Sequence, residues 1–141
     1  MATKMQKMLL CRAARGRRGA AAVEFAITAP IFFLFLLAAF EFGWLNVIRH
    51  TADNAAYEAA RTAMVPGATA AEARNKANGL LRVVGARGAK VNVTPSVLTP
   101  GTEQVTVEID IPMNRNALIT PRFAKNGTLH SESTLRTERA E

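Results

Sequence analysis

Residues 19–43 read GAAAVEFAITAPIFFLFLLAAFEFG, and within them the sixteen residues 25–40 carry no charge. The apolar character extends over 20–48 if Glu24, Glu41 and Asn46 are allowed as interruptions. At a helical rise of 1.5 Å, sixteen residues span about 24 Å and residues 20–40 about 31 Å, against a hydrocarbon core of about 30 Å. The stretch therefore predicts a membrane-spanning helix. A core helix of a soluble protein is the alternative, but so wide an apolar face needs more protein around it than the remaining chain supplies.

The whole chain has 141 residues, enough for one modest domain with appendages. Its 49% hydrophobic content excludes wholesale disorder, and its 21% charged content excludes a chain lying entirely in lipid. The net charge of +7 suggests a nucleic-acid binder until its distribution is examined. Lys4, Lys7, Arg12, Arg15, Arg17 and Arg18 precede the apolar run with no acid among them, so the other twelve basic residues face all 11 acidic ones. The body is nearly neutral, and no nucleic-acid partner is expected.

The basic leader also sets orientation. Only Arg49 and Arg61 lie close behind the span, so the N-terminus is expected to stay cytoplasmic and residues after about 49 to be exported. The sole cysteine, Cys11, falls in the cytoplasmic arm, leaving the exported part without a disulfide. A cleaved signal peptide is a further alternative. Against it, Glu24 would interrupt the apolar region, and Leu37-Ala38-Ala39 lacks the small residue a cleavage site needs at its first position.

At the junction, Arg17-Arg18-Gly19 closes the leader and Glu24 stands five residues beyond the glycine. This junction resembles the processing site of type IV prepilins, and the wider string is similar to the TadE-like pseudopilin family of the Tad/Flp tight-adherence pilus. The resemblance covers roughly residues 15–64 and rests on Gly19, Glu24-Phe25, Pro30, Glu41-Phe42-Gly43, Arg49 and the alanine-rich 54–61. Family members often close that last segment with Glu-Gly-Ala-Arg; here it is Glu58-Ala59-Ala60-Arg61, which suggests a helix that runs on uninterrupted.

The resemblance implies a membrane aspartyl prepilin peptidase cutting after Gly19, which leaves Ala20 as the mature N-terminus and Glu24 as its fifth residue. It also implies partners: a short major Flp-type pilin, a related pseudopilin, an inner-membrane assembly platform with its ATPase, and the lipid bilayer. A globular head, absent from such short major pilins, implies a minor, initiating or tip role.

Physical chemistry bears on the same residues. Glycine at 19 lets an extended backbone approach a protease closely, or merely interrupts a basic linker. An ionised carboxylate costs about 2.5–3.5 kcal/mol at the centre of a spanning helix and less near its end, so Glu24 is a functional candidate by default. After cleavage, Ala20 would carry an α-amino group of ordinary pKa about 7.7–8.0, about 6 Å along the helix from Glu24. Neighbouring subunits offset by a few residues could then pair carboxylate with ammonium, making assembly conditional on proteolysis. The bland alternative is that Glu24 snorkels to the interface.

Pro30 removes one helical hydrogen bond and crowds the carbonyl of Ala26, predicting a bend or loosened turn. Seven of the nine aromatic residues lie between Phe25 and Trp44, and Trp44 suits the outer interface. Glu41 is expected in the outer headgroup layer, with a second contact between subunits as the alternative. Beyond the span, Ile48, Ala52, Ala55, Ala59 and Ala63 recur at helical spacing until Pro66-Gly67, extending one helix from Ala20 to Met64.

A second helix is signalled by the capping box Thr69-x-x-Glu72, with Ala73, Ala77, Leu80, Leu81 and Val84 as its apolar stripe before Gly85. Asn78-Gly79 interrupts the pattern. Period-two alternation then predicts strands at 90–94, 104–111 and 128–137, with Thr99-Pro100-Gly101 turning the first into the second. Residues 112–127 predict a long loop with a short helical turn around 116–119. We expect an α+β fold: a long, pilin-like N-terminal spanning helix and a small head of a short helix and about three antiparallel strands. The expected division is a leader at 1–19, a transmembrane helix at 20–48, and an exported head at 49–141 that includes the amphipathic continuation of the long helix.

Nothing suggests catalysis, a cofactor or a metal site: His50 and His130 lie far apart in the sequence, and no Cys/His/Asp cluster has ligand spacing. Gly85-Ala86-Arg87-Gly88 matches the glycine spacing of a nucleic-acid clamp but suits a turn better beside an apolar helix. Asn92-Val93-Thr94 and Asn126-Gly127-Thr128 match glycosylation sequons, which a protein with this bacterial-type leader would usually leave unmodified. The expected function is that of a minor pilin or pseudopilin, in pilus assembly, initiation or surface adhesion. The alternative is an uncleaved, signal-anchored periplasmic scaffold or binding domain.

Overall fold

The computed structural model describes residues 2–99, 101–117 and 127–136, with side chains from Gly19 onward. Elements follow in the order α1 (Ala2–Ala63), α2 (Ala70–Val83), β1 (Lys90–Thr94), β2 (Gln104–Pro112), a 3-10 turn at Met113–Arg115, and β3 (Thr128–Arg136). The layout is α+β, with a long apolar N-terminal helix, a short helix and a three-stranded antiparallel sheet of order β1-β2-β3. The chain divides into two compact units, Met1–Phe40 and Glu41–Glu141.

The first unit is helix alone. Helix α1 runs through the basic leader, through Gly19 and through Pro30 without a break. A helix start at Ala20 was the expectation, and the structure corrects it to Ala2. Ala, Met, Leu, Lys, Arg and Gln dominate residues 2–18 and all favour helix, whereas one interior glycine costs only about 1 kcal/mol.

The second unit owns the core. From Leu45 the buried face of α1 passes through Ile48, Ala52, Ala55, Ala56, Ala59, Ala60 and Ala63. Alanine loses no side-chain rotamer freedom on burial and keeps full helix propensity, so this face is cheap to order and lets neighbouring backbones come close. Helix α2 adds Ala70, Ala73, Ala77 and Leu81, and the bulk comes from the sheet, where Val105, Val107, Ile109 and Ile111 alternate along β2 with half-buried outward residues. Val93 of β1 joins the same cluster, with Val91, Leu129 and Leu135 packed at its margin.

The capping box is complete: the Thr69 hydroxyl accepts the Glu72 backbone N–H at 3.3 Å, and the Glu72 carboxylate accepts that of Thr69 at 3.0 Å. At the other end, Ala86 N–H bonds to Leu81 C=O at 3.1 Å and Gly85 N–H to Arg82 C=O at 3.0 Å, a Schellman closure with Gly85 at φ +63°. Asn78-Gly79 does not interrupt the helix.

Strand β2 pairs with β3 along its whole length, from Gln104↔Arg136 to Pro112↔Thr128, and with β1 from Lys90↔Asp110 to Thr94↔Thr106. Pro112 closes β2 instead of opening a loop, and the 3-10 turn falls at Met113–Arg115, ahead of the predicted helical turn at 116–119. Of that predicted turn, Asn116 and Ala117 donate to Met113 C=O at 3.1 and 3.0 Å. Residues 118–126, and residue 137 at the predicted end of β3, lie outside the described residues.

Candidate functional site

The candidate segment is built on the first unit and the start of the second. Four residues of helix separate Ala20 from Glu24, a spacing that stacks both on one helix face. Glu24 is exposed, as are Gly19, Ala20, Phe25 and Pro30, and Phe25 shows 70% of its surface. Nothing lies within 4 Å of the position a side chain would take at Gly19 or Gly43. Thr28 folds its hydroxyl back to the Glu24 carbonyl at 2.9 Å, a contact that keeps a polar side chain satisfied in apolar surroundings.

Around this junction the large apolar side chains point outward in every direction. Val23, Ile27, Ile31, Phe32, Leu34 and Phe35 are all more than half exposed, and Phe32 meets Phe33 edge to face with ring centroids 5.8 Å apart. Within Gly19–Ala63 the most apolar window has a mean hydropathy of 2.2 and is 0% buried. That figure separates the segment from the core helix of a soluble protein, which would be covered by its own chain. An apolar helix near the N-terminus, long enough to cross a bilayer and exposed along its apolar window, suggests a membrane anchor.

Glu41 departs from its expected place in the headgroup layer. It is 7% exposed and engaged within its own chain. The cause is legible in the spacing: 41, 45, 48 and 52 fall on one helical stripe, so Glu41 lies on the face that buries Leu45, Ile48 and Ala52. Trp44, on another face, remains half exposed.

The GXXG-spaced glycines act in a turn. Gly85 closes α2, and Gly88 holds φ +72° where a Cβ would come within 3.0 Å of the Arg115 side chain. Asn116 clips this turn to the sheet end: its Oδ1 accepts the Arg87 N–H at 2.7 Å, and its Nδ2 donates to the carbonyls of Arg87 and Pro112 at 2.9 and 2.8 Å. His50 and His130 lie on α1 and β3, and His130 pairs with Asp110 of β2 at 2.8 Å. Among the described residues no group of three or more His, Cys, Asp or Glu side chains is placed to hold a metal ion.

Compared with known protein families, residues 19–61 match the model described as TadE-like protein. The match covers the segment on which the sequence resemblance rests, and together with the apolar helix it fits a minor pilin of the Tad pilus system. No curated protein and no solved structure matches the chain.

Proposed function

We propose that this protein is a minor pilin or pseudopilin of a Tad/Flp-type pilus, anchored in the bacterial inner membrane with its N-terminus cytoplasmic and its head periplasmic. A prepilin peptidase removes the leader after Gly19. The processed subunit then takes part, through its helix, in assembly or initiation of the pilus or in its adhesion to surfaces. Its partners are a short major pilin, a related pseudopilin and the assembly platform with its ATPase, and its role is structural.

The observation that carries this reading is one exposed carboxylate, Glu24, five residues after Gly19 at the start of the apolar stretch of α1, whose large side chains are exposed. In a monomer that surface has no partner. Lipid before assembly and neighbouring helices after it would supply one, and a free ammonium at Ala20 would give Glu24 a counter-charge only once the leader is gone.

The unbroken helix through Gly19 favours a second reading, in which the chain is a signal-anchored scaffold that keeps its leader. One experiment separates the two: the N-terminal sequence and intact mass of the membrane-extracted protein, from cells with and without the prepilin peptidase. The pilin reading expects a start at Ala20 that depends on the peptidase. A start at Met1 or Ala2 in both cells overturns it and leaves the anchored scaffold.

A further inference from the structure

The head has two chemically different ends. Helix α1 enters it at Glu41 and stops at Ala63, and a six-residue connection sends α2 back for fourteen residues, about 21 Å of rise. The C-terminus of α2, the turn at 84–89, the first residue of β1, the last of β2 and the 3-10 turn therefore gather at the end where α1 enters. The sheet register agrees, because Lys90 pairs with Asp110, Pro112 pairs with Thr128, and Met113 N–H reaches Gly127 C=O at 2.8 Å. At the opposite end, a recess of about 230 Å³ beside Ala63, Val65, Pro66 and Leu98 is lined by apolar and threonine residues with no charge.

Into the entry end the sequence places Arg82, Arg87, Lys90 and Arg115, every one exposed and none in an ion pair among the described residues. The backbone that carries them is fixed. Gly85 and Gly88 turn the chain, the Arg115 side chain lies over Gly88, and Asn116 bonds Arg87 on both its N–H and its C=O. The nearest carboxylate in register with this group, Asp110, is held by His130. Val83 stands next to Arg82 with 83% of its surface exposed.

We propose that these four cations form a docking collar for the anionic lipid headgroups of the membrane that holds the N-terminal segment. The inference rests on the anchored reading above. Because that segment precedes Glu41, the collar is at the end of the head that the chain itself ties to the bilayer. Cations at that end suit a negative lipid surface, whose potential fades over a Debye length of about 8 Å at physiological salt. An exposed valine beside an arginine suits the apolar-polar boundary of a headgroup layer. The four cations are also more than thirty residues beyond the span, too far along the chain to belong to its orientation signal.

The test uses the full chain in nanodiscs loaded with one copy each, of phosphatidylcholine alone or with phosphatidylglycerol added, read by amide hydrogen exchange. The collar expects amides of residues 83–90 and 114–117 to exchange roughly fivefold more slowly in the anionic discs, with the protection lost at high salt. It also expects loss of that protection in a variant combining Arg82→Gln, Arg87→Gln, Lys90→Gln and Arg115→Gln, while exchange along β2 stays unchanged and reports an intact fold. Equal exchange in both lipids overturns the collar and leaves the anchor standing. Protection that survives the four substitutions, or that needs two copies per disc, likewise overturns it in favour of another contact. A chain that does not enter the discs overturns the anchor and the collar together.

Discussion

The two units of this molecule solve opposite packing problems. In the described side chains of the first unit, residues 19–40, the phenylalanines, leucines and isoleucines are exposed, whereas in Glu41–Glu141 the core is lined largely by alanine and closed by four branched side chains of β2. Large apolar residues alone therefore do not mark the interior of this protein, although Ile48, Leu81, Ile109 and Ile111 lie in it. Phe35 is 69% exposed while Ala59 is fully buried, and helix α1 carries both. Hydrophobicity in the first unit is addressed to a surrounding medium, lipid or other helices; in the second it is addressed to the chain's own sheet.

If that contrast is right, equal chemistry should give unequal effects. Ile109→Ala removes a fully buried side chain where β2 meets β1 and β3, and is expected to cost about 2–5 kcal/mol of head stability. Phe33→Ala removes a larger side chain from the first unit, where it is 56% exposed, and should leave head stability within about 0.5 kcal/mol. Urea unfolding of the detergent-solubilised chain, followed by exchange of the β2 amides, measures both. Comparable losses would break the distinction.

Much of this division can be read from the sequence. The uncharged run at 25–40, the Thr69 capping box, the Gly85 stop and the alternation along β2 are local patterns whose physics is local; the end of α1 and both ends of α2, β1 and β2 fall within a residue or two of prediction, while the start of α1 lies eighteen residues earlier. Other features depended on who sits opposite whom. Nothing local marks Glu41 as buried, because an isolated carboxylate at the end of an apolar run looks interfacial until its stripe with Leu45 and Ile48 is followed into the head. Ala56 and Ala60 widen the buried face of α1 beyond the single stripe that spacing suggested, since both α2 and the sheet need a surface. The clip by Asn116, twenty-nine residues from Arg87, has no sequence signal at all.

Ser131 sharpens the contrast from the polar side. It lies on the inward face of β3 opposite Ile109, 5% exposed, and its hydroxyl has no hydrogen-bond partner among the described residues. While the first unit leaves apolar groups uncovered, the second buries a polar group unsatisfied, and such a group typically costs about 1–3 kcal/mol. Ser131→Ala is therefore expected to raise head stability by about 1 kcal/mol, the reverse of what truncation does at Ile109, its direct partner across the strands. A loss of stability in the same unfolding assay would mean that the hydroxyl is satisfied in solution and that the inner face is wetter than its alanines suggest.

The smallest effect concerns the outward face of the sheet, where the head meets solvent. There Asp110 pairs across the strands with His130 and, on its other side, with Lys90, while Glu108 stands opposite Glu132. The hydrogen bond from His130 Nδ1 to Asp110 raises the His130 pKa above its ordinary 6.5, opposed by desolvation and helped by the charges of Asp110, Glu108 and Glu132. A histidine pKa that is higher folded than unfolded contributes stability fully present below pH 6.5 and lost as pH rises through the folded value. The melting temperature of the native chain should thus exceed that of His130→Gln by more at pH 6 than at pH 9, and Asp110→Asn should erase most of this dependence. Both side chains are well exposed, so solvent screens the pair and the shift should rank below those at Ile109 and Ser131. A gap between native and His130→Gln that stays constant across that range would show that the pair is present but energetically idle. The exposed polar face of the head would then resemble the exposed apolar face of the first unit in one respect: neither would contribute to holding the fold together.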